Sequence, residues 1–254
     1  MKIHFDCTQC GRCCHDLRLP LSVDEAIDWA HDGNKVELLC EATPWPDAPD
    51  PHDLARNHKQ RRTSEARCGA LPVRIDIILV AAFKGACPHL QDDMRCGNYA
   101  RRPRTCRIYP AEANPTVELV PEHKACPPEA WTPDQPLLAD DGHIVQRDIR
   151  MLVEAHRATA RQDAWPKAAV CEELGISTAA LANEGVAVFS PPPAQLADIL
   201  EKVRADNRQP GSDQQWTIVT NRRTTYELLH SVGAPARMEQ GGERFIAYFE
   251  DEPS

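Results

Sequence analysis

The stretch CTQCGRCC, residues 7–14, places four thiols within eight residues near the start of the chain. Cysteines two residues apart can be brought onto one metal ion by a tight turn, since the sulfur-to-metal distance is only about 2.3 Å for zinc. Gly11 allows the backbone to bend where a side chain would obstruct it. Cys13 and Cys14 are adjacent, and neighbouring side chains of an extended segment point to opposite faces. We therefore expect Cys14 to serve a second centre or not to be a ligand.

A second group of cysteines has longer and uneven spacings. Its members are Cys87, Cys96, Cys106 and Cys126. Cys87 and Cys126 each precede a proline, as does the closing ligand of ferredoxin-type runs. Together the two groups supply eight thiols, enough for two four-ligand sites or for one site with spare thiols. The other three cysteines lie outside this pattern, and we expect them in the core: Cys40, Cys68 and Cys171.

Composition predicts a folded chain of one or two domains, with 254 residues, 42% of them hydrophobic, and a net charge of −9. The longest apolar run, residues 77–83, is too short to span a bilayer, and the charged, cysteine-rich start leaves no room for an apolar leader. We therefore expect a cytoplasmic protein without a membrane partner. In that reducing compartment, clustered cysteines are metal ligands or redox groups more often than disulfides. The acidic balance argues against nucleic acid as a partner.

The chain is predicted to divide near residue 130, where prolines cluster. We expect a cysteine-cluster metal-binding domain over residues 1–130, a Pro-rich joint and helix over 131–165, and a domain over 166–254. The fold class is α+β: an irregular, metal-stapled N-terminal domain and a smaller, helix-rich α/β C-terminal domain.

Local patterns predict several elements. Ser22 and Glu25 form a capping box that begins a helix reaching about Asp32. Residues 73–83 predict a buried strand or a tight pair, and the Pro-rich, basic residues 42–67 predict an excursion over the surface. Beyond the joint we expect helices over 141–165, 194–206 and 222–232, and strands over 216–220 and 244–249.

Residues 167–183, KAAVCEELGISTAALAN, are similar to a helix-turn-helix of DNA-binding regulators. The second helix of that motif would carry the base contacts, yet residues 177–184 contain no Lys or Arg. A plain packed helix pair is therefore favoured, and DNA binding is kept as an alternative.

Polar residues flank the cysteines. His15 and His89 are either ligands that replace a thiolate or hydrogen-bonding neighbours of the ligands. Guanidinium groups could offset the negative charge of a four-thiolate centre and donate to sulfur, or could contact an anion or nucleic acid instead. Tyr99 and Tyr109 are expected to be packing residues. The arginines in this region are Arg95, Arg101, Arg102, Arg104 and Arg107.

Residues 5–128 resemble the cysteine-cluster family described as zinc- or iron-chelating CxxCxxCC-domain proteins, of the YkgJ type. The resemblance implies metal or iron–sulfur binding, and some relatives are labelled flagellin lysine N-methylases. The matching residues are Phe5, Cys7, Cys10, Gly11, Cys13, Cys14, Cys87, Pro88, Leu90, Cys96, Tyr99, Arg102, Pro103, Cys106, Arg107, Tyr109, Pro110 and Cys126.

The sequence thus predicts a protein that binds an iron–sulfur cluster or zinc through cysteine thiolates. The Cys-x2-Cys-x2-Cys run with later Cys-Pro pairs favours a [4Fe–4S] cluster over zinc. Such a protein could be an iron–sulfur redox or protein-modifying enzyme with a protein substrate or partner. The alternatives are a non-catalytic, zinc-stabilised binding or scaffold protein and a cluster-sensing DNA-binding regulator, so whether it is an enzyme stays open. The predicted metal ligands are Cys7, Cys10, Cys13, Cys14, Cys87, Cys96, Cys106 and Cys126.

Overall fold

The structure is a computed structural model that describes residues 1–206 and 214–251. Helices make up 33% and strands 26% of it, which confirms the α+β class. By its internal contacts the chain forms two compact units. Unit 1 comprises Met1–Leu21 and Ala81–Thr159, and unit 2 comprises Ser22–Val80 and the chain from Ala160 onwards. The boundaries predicted near residues 130 and 165 divide the chain into independently folding domains rather than into units of internal contact. These domain boundaries stay a prediction.

Unit 1 contains the strands and helices β1 (Lys2–His4), β2 (Arg18–Leu21), α3 (Arg104–Ile108), β6 (Leu137–Asp140), β7 (His143–Ile144) and the beginning of α4 (Arg147–Gln162). It is built on a small antiparallel sheet in the order β1-β6-β7. Much of the rest is irregular, with single turns of 3-10 helix at Tyr99–Arg101, Pro121–His123 and Pro128–Trp131. A few buried side chains form its core: Phe5, Ile108, Ala111, Ala130, Leu138 and Val153.

Unit 2 contains a larger mixed sheet. Its strands are β3 (Val36–Pro44), β4 (Ser64–Cys68), β5 (Leu71–Ala82), β8 (Thr178–Leu181), β9 (Gly185–Phe189), β10 (Thr217–Thr220), β11 (Ala236–Met238) and β12 (Phe245–Ala247). Five of them follow the order β11-β10-β8-β3-β5. β10 pairs in parallel with β11 and β8, and β3 pairs in parallel with β8. β9 pairs antiparallel with β3 and β12, and β4 pairs antiparallel with β5.

The helices of unit 2 are α1 (Val23–His31), α2 (Leu54–Arg62), α5 (Ala164–Glu173), α6 (Pro193–Ala205) and α7 (Arg223–Ser231). They bury apolar side chains, with the exception of α2, which has no buried residue. α6 packs against α1 and α5 through side chains such as Leu196 and Leu200, both fully buried. Cys40, Cys68 and Cys171 are also fully buried, which confirms their expected place in the core. No helix among the described residues is long and apolar enough to cross a membrane.

The predicted capping box is confirmed at the start of α1. The Glu25 backbone N–H donates to Ser22 Oγ at 3.3 Å, and the Ser22 N–H donates to Glu25 Oε2 at 2.8 Å. Ser22→Ala is expected to lower the free energy of unfolding of unit 2 by about 1 kcal/mol, because an N–H at the helix start loses its acceptor. Urea denaturation monitored by far-UV circular dichroism measures this loss. A midpoint equal to that of the wild type would contradict it.

Most predicted elements are confirmed, with shifts at their ends. The strand predicted over 73–83 is β5. The other elements begin and end within a few residues of their predicted bounds: the strands over 216–220 and 244–249 are β10 and β12, and the helices over 194–206 and 222–232 are α6 and α7. The helix expected over 141–165 begins later, because Asp141 and Gly142 have positive φ and form the turn between β6 and β7. Pro166 does not end it: α4 ends at Gln162, and Pro166 lies in the first turn of α5, where a proline is tolerated.

Two further predictions of secondary structure are wrong. Residues 42–67 are not a simple surface excursion, since they include the end of β3, helix α2 and most of β4. The packed helix pair favoured for residues 167–183 is also absent, and with it the helix-turn-helix. α5 supplies the first helix, but residues 178–181 form β8, which pairs with β3 and β10. Parallel strands on both sides override the weak helical preference of this alanine-rich segment.

Candidate metal centre

The eight cysteines predicted as metal ligands all lie in unit 1, and the structure contains them as free thiols. Cys7 is exposed and the others are partly buried, in contrast to the three fully buried cysteines of unit 2. The structure therefore separates the cysteines in the way that the spacing predicted. The thiols of unit 1 belong to Cys7, Cys10, Cys13, Cys14, Cys87, Cys96, Cys106 and Cys126.

The CTQCGRCC loop contacts the segment that carries the second cysteine group. The Cys87 backbone N–H donates to the Cys14 carbonyl at 2.8 Å, and the Cys14 N–H donates to the Gly11 carbonyl at 2.9 Å. Gly11 has φ +69°, and a Cβ at this position would lie 2.5 Å from the Met94 carbonyl oxygen. Glycine is therefore required here both by backbone conformation and by the close approach of the two segments.

Residues 87–97 form a compact hairpin-like turn. The Leu90 N–H donates to the Cys87 carbonyl at 2.9 Å, the Gly97 N–H donates to the His89 carbonyl at 2.7 Å, and Leu90 and Cys96 form an isolated antiparallel bridge. Burial raises the pKa of the Cys87 thiol, while backbone N–H groups of His89 and Leu90 that donate to its sulfur oppose the rise. N–H groups directed at sulfur favour the thiolate, the form that binds metal.

Cys13 and Cys14 do not point apart, contrary to the expectation from an extended segment. The segment is turned rather than extended, and the Cys14 thiol donates to Cys13. This hydrogen bond lowers the pKa of Cys13 to about 7, and Arg102 contributes to the lowering. The same hydrogen bond raises the pKa of Cys14, with burial as the next cause. Cys13 is therefore the thiol that ionises most readily of those with a shifted pKa, and ligation by Cys14 stays a prediction.

The remaining thiols lie within electrostatic reach of Cys13 or of each other. Burial, together with the neighbouring Cys13, Cys87 and Cys96, raises the pKa of Cys106 to about 12. Burial, together with Cys13, Cys7 and Cys10, raises the pKa of Cys126 to about 11. Because each thiolate disfavours its neighbours, the set is costly to ionise unless a cation offsets the charge.

The thiols are gathered but not arranged around one point. Within residues 1–206 and 214–251, no group of three or more His, Cys, Asp or Glu side chains could hold a metal ion as it stands. The donor set nevertheless fits a thiophilic metal, since it offers many thiols, N–H groups directed at the sulfur of Cys87, and a readily ionised Cys13. Binding would require the cysteine side chains to turn toward a common centre.

Tyr109 has a more specific role than the packing predicted for it. Its hydroxyl accepts the Ala125 backbone N–H at 2.7 Å and donates to the sulfur of Cys126. The Trp131 indole N–H, 3.4 Å from the Cys126 carbonyl, holds the same segment. From the sequence, Tyr109 was predicted only as a packing residue and as part of the family resemblance, because the link to Cys126 spans 17 residues of irregular chain.

The histidines and arginines beside the cysteines differ in their surroundings. The backbone of His15 forms an isolated antiparallel β-bridge with Ala86, and the His89 backbone N–H donates to the Cys87 sulfur. Arg104 donates to Thr159 Oγ1 at 2.9 Å and Arg95 is exposed, whereas the charge of Arg102 acts on Cys13 and Cys106. Direct ligation by His15 or His89 stays a prediction.

Comparison with known proteins agrees with the chemistry of this thiol set. Residues 6–127 match the model of the CxxCxxCC family, which is described as a putative zinc- or iron-chelating domain. The resemblance to the zinc- or iron-chelating CxxCxxCC family, drawn from the cysteine spacing, is thereby confirmed. Neither a search of curated proteins nor a search of solved structures finds a match to this chain.

Proposed function

We propose that the chain binds an iron–sulfur cluster or zinc through the thiolates of the eight cysteines of unit 1. One observation carries this proposal: these eight thiols are gathered in one unit and interact electrostatically, while the other three cysteines are buried in the other unit. The zinc- or iron-chelating description of the matching family supports the same chemistry.

Within this proposal a [4Fe–4S] cluster is favoured, on the Cys-x2-Cys-x2-Cys run and the later Cys-Pro pairs. A cluster would supply one-electron chemistry or a binding position for a cofactor, which suits an iron–sulfur redox or protein-modifying enzyme with a protein substrate. The residues of unit 1 would hold the cluster, with Tyr109 and the backbone N–H groups near Cys87 donating to the ligand sulfurs. A cytoplasmic location is part of the proposal, since free thiols persist in a reducing compartment.

A zinc-stabilised binding or scaffold protein is the second candidate. The irregular chain of unit 1 and its small core favour it, because closed four-thiolate zinc sites commonly stabilise segments of this kind. DNA binding through residues 167–183 is not retained, since the second helix of that motif is replaced by β8.

Anaerobic purification followed by metal and acid-labile sulfide analysis tests the proposal. We expect a brown protein with sulfide and about four iron atoms per chain. A colourless protein with stoichiometric zinc and no sulfide would support the scaffold candidate. A preparation that contains neither iron nor zinc, even after anaerobic reconstitution, would contradict metal binding altogether.

A matched pair of cysteine variants separates the ligands from the core thiols. Cys106→Ser is expected to lose most of the bound metal, because a serine hydroxyl is a poor ligand for zinc or iron at neutral pH. Cys68→Ser is expected to retain it, since the Cys68 thiol donates to the Pro235 carbonyl at 3.2 Å and a hydroxyl can do the same. Equal metal content in the two variants would contradict the assignment of Cys106.

A further inference from the structure

Arg102 carries a buried hydrogen-bond donor that has no acceptor among the described residues. Its Nε is inaccessible to solvent and has no hydrogen-bond partner in the described chain. A buried N–H of a charged group is costly to leave unpaired, so native structures rarely contain one without a reason. The position therefore calls for an acceptor that the chain itself does not provide in this conformation.

The guanidinium is held in place by the chain around it. Its Cζ lies 3.6 Å from the centroid of the Tyr99 ring, which places the two planar groups in close contact. Arg102 has extended backbone angles, φ −53° and ψ 143°, between the 3-10 helix Tyr99–Arg101 and Pro103, which precedes α3. A residue before proline is restricted to such angles, so the side chain leaves the backbone in a fixed direction.

The charge of Arg102 acts on thiols of both cysteine groups. Its guanidinium interacts electrostatically with Cys13 of the CTQCGRCC loop and with Cys106. Cys106 lies on α3, which begins two residues after Arg102. Arg102 thus lies beside the place where the CTQCGRCC loop and α3 bring sulfurs together.

We propose that Arg102 is a positioning residue of the metal centre, whose Nε–H donates to a metal-bound thiolate on the side formed by Cys13 and Cys106. This inference rests on the proposed metal binding. A charge-assisted N–H donor would satisfy the buried Nε and offset part of the negative charge of the thiolates. It would also draw electron density from the sulfur, and so raise the energy of the sulfur-to-metal charge-transfer absorption.

Co²⁺ titration of the full-length, metal-free protein tests this role. Arg102→Met is expected to weaken Co²⁺ binding about 10- to 100-fold in competition with a chromophoric chelator. Its thiolate-to-Co²⁺ charge-transfer band is expected to shift to longer wavelength, because the sulfur donates more strongly without the N–H. Arg102→Lys restores the charge but not the planar donor, and should recover part of the affinity while leaving the band shifted.

Arg107→Met is the matched control, because Arg107 follows Cys106 directly and is exposed. It should bind Co²⁺ within about twofold of the wild type, with an unshifted band, since an exposed charge is screened by solvent. If circular dichroism shows that Arg102→Met does not fold, the wavelength of the charge-transfer band of Arg102→Lys tests the inference instead. Wild-type affinity and an unshifted band in the folded Arg102 variant overturn this inference alone. If the wild type binds neither Co²⁺ nor, on anaerobic reconstitution, iron, both the proposed function and this inference are overturned.

Discussion

Removal of the bound metal by a strong chelator is expected to unfold unit 1 and to leave unit 2 folded. Unit 1 has a short antiparallel sheet, a small core and long irregular segments between its cysteines. Structural zinc contributes about 10–16 kcal/mol at neutral pH in small metal-binding domains. That is comparable with the whole stability of a typical domain, about 5–15 kcal/mol, so the metal-free unit has little stability left.

Amide hydrogen exchange measured by mass spectrometry distinguishes the two units. After chelation we expect loss of protection in β1 and β6, whose pairing joins Ile3 to Ala139, and unchanged protection in β8 and β10, whose pairing joins Ala179 to Ile218. The strands of unit 2 serve as the internal control, because their neighbours are other strands and buried helices rather than cysteines of the motif. Restored protection on return of the metal excludes chelator-induced damage. Undiminished protection of β6 in protein shown to be metal-free would contradict the expectation.

The elements that the sequence predicted correctly are those that local chemistry determines. The capping box at Ser22 fixes the start of α1 through bonds within four residues, and the apolar run that became β5 is recognisable without its partners. α2 was missed because it has no apolar face. It is held by the Asp53 cap and by bonds to other elements, such as Arg62 to Asp76 at 2.6 Å. β8 was missed because its conformation depends on strands that lie far away in the chain.

The candidate site shows the same division. Cysteine spacing predicted which thiols belong together, and it separated Cys40, Cys68 and Cys171 from the rest. It could not predict that Cys14 donates to Cys13, or that Tyr109 reaches Cys126, because both depend on how irregular segments fold against each other. Nor could it distinguish Arg102 from the other arginines of its stretch, since the burial of its Nε depends on how the rest of the chain packs around it.

Gly11→Ala is expected to abolish most metal binding, even though it changes no ligand. The φ of +69° costs an alanine about 1–2 kcal/mol, and the added Cβ would lie 2.5 Å from the Met94 carbonyl oxygen and 3.0 Å from Leu90 Cδ1. Real Cβ atoms do not approach a backbone oxygen so closely, so the CTQCGRCC loop must move away from residues 87–97. That movement separates Cys10 and Cys13 from Cys87 and Cys96.

Gly85→Ala is the matched control. Gly85 also lies in unit 1 and has φ +74°, but nothing lies within 4 Å of the position that a Cβ would take. The two variants therefore share the backbone strain and differ in the clash. Metal content after anaerobic reconstitution should fall several-fold further in Gly11→Ala than in Gly85→Ala. Equal losses would mean that backbone strain alone governs both variants, and that close contact between the CTQCGRCC loop and residues 87–97 is not required to bring the thiols together. A selective loss in Gly11→Ala would instead show that the metal needs both cysteine groups at once, because the clash separates the groups without altering the thiols of either.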